Sequence, residues 1–379
     1  MPKVSLLMQR RLAYIFFIIF LLLVCFYVYK RPLYNWDMLP YMSLALKMDN
    51  TDARLVHDIT YREAKKNVPA KVYCQLTDTS HAYKRKMLNS KVNYEAVLPF
   101  YIVKPLYVVS IWFFYKTGIN LPAATVLPSA IAYFFIGILL FYWIFKYLNP
   151  LTALATSGII LLSGPLLVVA KLSTPDCISA LFLFSSMYFI VEKGKYSIAF
   201  FFLMLAVLTR IDNIIPAVII ISFLALVINK ISPLHYFIML LISFICFFCV
   251  AYNATRFGWD LMFYPSFFKN NMVTFHKMSP AFSIHNYLSI HISDAIVGFL
   301  FSQVNTFMLL GLFVFVGRAG RFRQLTFDQM FLLAILVIYL TRFILHSETA
   351  DRFYVPYYLV IIMLLIRKLS HLNMGHPEH

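Results

Sequence analysis

The chain has 379 residues, of which 61% are hydrophobic and only 13% charged, with a mean hydropathy of +0.76. Soluble domains run about 45–50% apolar and about 25% charged, so a soluble enzyme is excluded and a polytopic membrane protein is expected. The formal charge of +17 would suggest nucleic acid in a soluble protein, but here the Lys and Arg residues flank apolar segments. There they act as orientation signals and attract anionic membrane lipid, and no nucleic-acid partner is expected.

The first apolar run, 12–29, follows Lys3, Arg10 and Arg11. It resembles a signal peptide but is too long and no small-residue cleavage site follows, so it is expected to be an uncleaved span. Further apolar segments fall near 98–115, 122–145, 151–170, 176–191, 196–209, 213–228, 234–252, 292–316, 328–345 and 353–366. These runs are unbroken, which excludes a membrane β-barrel, whose strands alternate. Segment 98–115 contains Lys104 and Pro105, and the apolar stretch before Lys116 and Gly118 is too short to cross a bilayer. It is expected to lie as a helix in the outer face, leaving ten spans.

With that parity, Lys3, Arg10, Arg11, Lys146, Lys193, Lys195, Lys230, Arg318, Arg321, Arg323, Arg367 and Lys368 share one side. The opposite loops hold Lys171, Arg210, Arg256, Lys269, Lys277 and Arg352. The positive-inside rule then puts both termini in the cytoplasm. The expectation is one all-α membrane domain over 1–379, a bundle of about ten spans in the inner (plasma) membrane. Its first external loop, 30–121, would carry the interfacial helix, and a second would run over 253–291. Cys25, Cys177, Cys246 and Cys249 lie in apolar runs and Cys74 stands alone in a loop, so no disulfide framework is implied.

Ionisable side chains at or inside the apolar zone are expensive to keep and mark a site by default. On the external side these are Asp37, in Tyr34-Asn35-Trp36-Asp37-Met38; Lys104, in Phe100-Tyr101-Ile102-Val103-Lys104-Pro105; Asp176, after Ser173-Thr174-Pro175; Arg210 with Asp212; and His346, Glu348, Asp351 and Arg352 in the last loop. Several have a structural explanation as well. Asp176 suits a helix start, Arg210 and Asp212 suit a short polar turn, Arg352 could pair with Asp351, and Lys104 could snorkel to headgroups. Asp37 has none, because no helix start clearly demands it.

An acid at the interface can deprotonate an acceptor hydroxyl. Cations opposite it would stabilise a phosphate that gains charge as it leaves, and a second acid could hold a divalent cation or orient a sugar. Such a set suits transfer of a sugar from a lipid phosphate, with inversion in a single displacement. Asp37, Lys104, Arg210 and Arg352 are then expected to line one cavity open to lipid and to the outside.

The order of these features resembles the GT-C glycosyltransferases, polytopic enzymes that use polyprenyl-phosphate-linked sugars outside the cytoplasm, including lipid A aminoarabinose transferases and protein O-mannosyltransferases. Asp37, soon after the first span, matches their catalytic Asp. Lys104-Pro105 resembles the Lys-Pro pair that opens a membrane-lying helix, and Leu127-Pro128-Ser129 echoes a later Leu-Pro-Ser. Asp176, Arg210 and the segment His346 to Pro356 are similar to further positions. The resemblance implies Asp37 as base, Lys104, Arg210 and Arg352 as donor-phosphate ligands, and Asp176, Tyr101, Asp212 and His346 as supporting contacts to sugar or metal. It implies a polyprenyl-phosphate sugar as donor and a glycan, lipid or protein as acceptor. Position 37 shows one acid where several branches have a neighbouring pair, which leaves a metal without a clear ligand set. The alternatives are a transporter or flippase for lipid-linked saccharides, which would need charges along a path through the spans, a polysaccharide polymerase, or an acyltransferase.

Overall fold

A computed structural model of the chain describes residues 2–49, 51–252, 282–316 and 325–373, and these are all-helical, without a strand. Helix α1, Pro2–Lys30, shows why. Its Ala13, Phe17, Leu21, Val24 and Val28 recur every three or four residues and are buried, while Leu12, Ile15, Phe16, Ile19, Leu22, Leu23 and Phe26 stay exposed. One face packs into the bundle and the other is apolar surface of the kind that lipid covers. Among the described residues, four helices are long and apolar enough to cross a membrane: Met8–Lys30, Leu121–Ile144, Pro233–Tyr252 and Phe327–Leu345. The number rises to seven if each sharply bent helix pair is one span.

The first expected loop is a folded helical cap. It comprises α2 (Met38–Met48), α3 (Ala53–Asn67), α4 (Ala70–Leu76), α5 (Ala82–Asn89), α6 (Lys91–Val97), α7 (Pro99–Ile102) and α8 (Pro105–Lys116). Polar groups are buried within it: Ser43 Oγ lies 2.8 Å from both Thr60 Oγ1 and Tyr94 OH inside the cap. Segment 98–115 is two helices and not one. The arms Lys91–Ile102 and Pro105–Lys116 meet at 110°, so they do not form one straight crossing. Pro105 lacks an N–H and keeps the preceding residue out of the helical region, and Lys104 accordingly has φ −127°, ψ 56° at the vertex.

Next come α9 (Leu121–Ile144), α10 (Pro150–Leu161), α11 (Gly164–Lys171), α12 (Asp176–Tyr188), α13 (Tyr196–Thr209), α14 (Ile214–Ser222) and α15 (Pro233–Tyr252). The expected helix 151–170 is broken by 60° between α10 and α11, where Ser163-Gly164-Pro165 starts a new helix. After the undescribed stretch come α16 (Ile284–Phe301), α17 (Val304–Val316), α18 (Phe327–Leu345) and α19 (Val355–Asn373). The expected span 292–316 is likewise two helices, α16 and α17, meeting at 79°. Of the second expected loop, 284–291 is already helix, and residues 253–281 lie outside the described residues, as do Arg318, Arg321 and Arg323.

Helix α9 is central and packs against α1, α8, α10, α11 and α12. Ser129 Oγ, next to the mid-helix Pro128 of α9, donates to the Thr174 carbonyl (3.1 Å), tying α9 to the turn that opens α12. The segment between α18 and α19 is held against α16 at Gly298, where an added Cβ would stand 2.6 Å from Thr349 Cβ. Gly298→Ala should therefore destabilise the protein by about 1–3 kcal/mol through overpacking, read as a lower melting temperature of the detergent-solubilised chain. An unchanged melting temperature would show that this contact relaxes freely.

Candidate functional site

The site is assembled at the ends of α1, α12, α13 and α18, and its frame is a buried ion network. Arg210 ends α13 in extended backbone, and a 3-10 turn, Ile211–Asn213, follows. The guanidinium of Arg210 bonds Asp212 through Nε to Oδ1 at 3.0 Å and Nη2 to Oδ2 at 3.1 Å, and it bonds Asp176 through Nη1. Arg342 Nη2 reaches the same Asp212 Oδ2 at 2.6 Å. Arg352 lies 4.0 Å from Asp176 and 3.1 Å from Glu348. Asp176, Asp212, Arg210 and Arg342 are all buried. The ring of Phe353 packs among the cations, 4.4 Å from the guanidinium of Arg210, 4.9 Å from Arg342 and 4.7 Å from Arg352.

Three guanidinium groups and three carboxylates thus pair with one another. Burial alone would raise the Asp212 carboxyl, but Arg210 and Arg342 outweigh it and hold the group well below the usual carboxylate range. Burial pushes His346 down to about 4, with Arg342 beside it adding to the effect, so it is a neutral imidazole at pH 7.

Two ionisable groups at the site stand outside this network. Asp37 accepts from Tyr101 OH at 2.8 Å and from Asn35 Nδ2 at 3.1 Å, and among the described residues it makes no salt bridge. A helix does start at Met38, contrary to expectation, yet the Asp37 side chain does not cap it. Its orientation comes from the neighbouring strand of chain. Leu33 pairs with Leu172 in an isolated bridge, and Ser173 Oγ donates to Asn35 Oδ1 at 2.9 Å. Thr174 Oγ1 in turn donates to Asp176 at 2.7 Å, so Asn35 and the Ser173-Thr174 turn join the two acids.

Lys104 is 8% exposed and, among the described residues, likewise makes no salt bridge. Its ammonium lies over the rings of Tyr41, Phe100 and Tyr101 at 5.5, 5.1 and 4.9 Å. Burial, reinforced by Arg210, pushes it down to about 8, although Asp37, Asp176 and Asp212 pull the other way. Lys104 therefore does not snorkel, which was its structural alternative, and Arg352 pairs with Glu348 and Asp176 and not with Asp351, its alternative local partner. Asp351 instead accepts from Gln303 N and Tyr358 OH, both at 2.9 Å.

Asp37, Lys104, Arg210 and Arg352 all lie within electrostatic reach of Asp176 or of one another. The space bordered by Asp176, Arg210, Arg342, Arg352 and Phe353 is about 10 Å³, room for about one water. A larger polar groove of about 460 Å³ lies alongside, lined by Asp294, Ser302, His346, Ser347, Glu348 and Asp351. Among the described residues no group of three or more His, Cys, Asp and Glu side chains is placed to hold a metal, and Asp176 and Asp212 are engaged by guanidinium groups. The sequence did not assign Arg342 or Phe353 to the site. Arg342 carried a signal, since it is the one charge inside the apolar stretch 329–345.

Comparison with known proteins finds no match: no family model, no curated protein and no solved structure is significantly similar to this chain.

Replacing Asp212 leaves two buried guanidinium groups short of a carboxylate. Asp212→Asn should therefore cost about 3–5 kcal/mol, seen as loss of monodisperse protein in detergent, whereas Asp37→Asn should leave the melting temperature near that of the parent. Equal tolerance of both changes would remove the network as the frame of the site.

Proposed function

We propose that this chain is a membrane glycosyltransferase of GT-C type that transfers a sugar from a polyprenyl-phosphate donor to an acceptor hydroxyl at the extracytoplasmic face, with inversion. The observation that carries the proposal is the pair left over by the ion network: a carboxylate, Asp37, and a buried ammonium, Lys104, neither in a salt bridge among the described residues. A buried cation without a carboxylate is costly unless an anion completes it, and a phosphate is such an anion.

In this scheme Asp37, oriented by Tyr101 and Asn35, takes the proton of the acceptor hydroxyl. The acceptor oxygen attacks the anomeric carbon, the bond from that carbon to the phosphate oxygen breaks, and the electron pair leaves with the phosphate. Lys104 and Arg352 stabilise the leaving phosphate, and Arg352 still has an Nε without a hydrogen-bond partner. Arg210, engaged by Asp176 and Asp212, acts as a positioning residue. Neutral His346 beside Glu348 (3.7 Å) suits hydrogen bonding to a sugar. The ten-span topology, with both termini in the cytoplasm of the plasma membrane, belongs to the same proposal. In it the hairpin arms around Lys104 lie in the outer face.

The experiment is comparison of lipid extracts and surface glycans from cells carrying the parent chain and cells carrying Asp37→Asn. Loss of one sugar from a glycan, with its polyprenyl-phosphate carrier accumulating, is expected; undiminished transfer by Asp37→Asn removes it as base.

Lys104 also sets a pH dependence. Its charged form prevails below about 8, so the donor phosphate should lose its ammonium partner as pH rises through that value, well below the ~10.4 of an ordinary lysine. KM for donor is expected to climb between about pH 7 and 9, while Lys104→Arg, which keeps its charge, should give a flat profile. A flat profile in the parent enzyme would show that Lys104 does not meet the phosphate.

A further inference from the structure

The end of the bundle away from the ion network carries cations of its own. A π-helical turn, Phe189–Lys193, closes α12, and Gly194, at a left-handed φ of 59°, ends it. Glu192 bonds Trp143 Nε1 at 2.7 Å and is also bound by Lys146 and Tyr147, so Lys146 is answered by a carboxylate. Lys193, the next residue, is exposed and makes no salt bridge among the described residues. Its ammonium lies 5.7 Å from the ring of Tyr142 and 5.9 Å from that of Tyr188. Arg10 of α1 is likewise exposed and without a salt bridge among the described residues, and its guanidinium lies 5.8 Å from the ring of Phe145. Tyr14 connects the two cations: its ring is 5.0 Å from Phe145, and it lies within electrostatic reach of both Arg10 and Tyr142.

Below this rim runs an apolar groove of about 360 Å³, within the range of small-molecule sites. Tyr14, Phe17, Phe135, Ile138, Tyr142 and Leu181 are among the residues that line it, from α1, α9 and α12. Along α9 it extends from Phe135 to Tyr142, about 10 Å at ~1.5 Å per residue. Both residues are half exposed on the apolar surface of the bundle, so the groove opens to lipid along its length. Two cations and the aromatic residues of an interfacial belt above such a slot complement an anionic head carried on an acyl chain. We infer that this groove holds one acyl chain of an anionic phospholipid, whose phosphate is bound between Arg10 and Lys193. A zwitterionic head would bring its own ammonium against both cations and is disfavoured. The lipid lies at the opposite end of α12 from Asp176, and its binding does not depend on transfer chemistry.

Binding of a phosphatidylglycerol and of a phosphatidylcholine with the same acyl chains is measured on the full chain in detergent by native mass spectrometry. The double variant Arg10→Gln, Lys193→Gln is compared with the parent and with Arg11→Gln, Lys195→Gln, which removes the same charge from exposed neighbours. Ile138→Trp fills the groove, and Leu139→Trp takes its place if the first fails to fold. Phosphatidylglycerol is expected to bind the parent more tightly than phosphatidylcholine does. Changing Arg10 and Lys193 should weaken it about thirtyfold, about fivefold for each cation, with phosphatidylcholine little changed, and the filling variant should weaken both lipids. Equal loss in the Arg11 and Lys195 control overturns the site, because diffuse surface charge would then hold the lipid. Unchanged phosphatidylglycerol binding in a folded filling variant overturns it as well, since the head would be held with no chain in the groove. Equal affinity of the parent for the two lipids removes the anionic occupant.

Discussion

Asp212 lies between two guanidinium groups in the protein interior, and the geometry of the whole site depends on that arrangement. A carboxylate at this depth is stable only if cations face it with good hydrogen-bond geometry, and the bidentate fork of Arg210 together with Arg342 supplies it. Arg210 then still has Nη1 for Asp176, and Asp176 brings in Arg352 and through it Glu348. Residues from the start of α12, the end of α13, the end of α18 and the segment before α19 are thereby locked together by groups that would each be costly alone. Apart from Arg352 Nε the network satisfies itself, and so it can serve as a rigid wall.

What lies against that wall follows from backbone chemistry. Pro105 removes a donor and bends the chain, which turns Lys104 into the vertex of a hairpin, where its ammonium lies over three aromatic rings. Across from it, the isolated bridge between Leu33 and Leu172 holds the chain after α1 against the chain before α12, and the Asn35 to Ser173 bond fixes how Asp37 is turned. A carboxylate that accepts from neutral donors keeps its lone pairs oriented without being neutralised by a cation. That differs from Asp212, whose charge is fully answered. Asp212, whose charge is answered by two guanidinium groups, thus belongs to the frame, while Asp37 meets only neutral donors.

Much of this was readable from residue types. The membrane class followed from composition, and Asp37, Lys104, Asp176, Arg210, Asp212 and Arg352 stood out because charge at an apolar boundary demands a reason. The pairing did not follow. Arg352 adjoins Asp351 in sequence, yet a 3-10 turn at Asp351–Phe353 sends their side chains to different partners, and no local pattern encodes that. The broken helices were missed for a related reason. A run such as 292–316 is apolar throughout, so periodicity could not locate its break, whereas Gly164-Pro165 and Lys104-Pro105 carried the signal in their prolines. Arg342 was passed over because it sits near a helix end, where a basic residue is ordinary, and only the position of Asp212 makes it part of the site.

The distribution of charge along the bundle also weighs between catalysis and transport. Asp176 opens α12 and Glu192 lies in the π-helical turn that closes it, about 24 Å apart at ~1.5 Å per residue. Glu192 is bound by Trp143 Nε1 at 2.7 Å and by Lys146 and Tyr147, which seals that end. Between the two ends, Trp143, Tyr133, Phe141 and Phe184 are almost fully buried, and α9 packs directly on α12. A carrier that moves a charged saccharide across the bilayer needs polar groups at depths between its two gates. Here, among the described residues, ionisable groups lie at the two ends of α12 with a packed aromatic interior between them. That arrangement offers no polar path between the two ends and so supports the proposed transferase over a carrier.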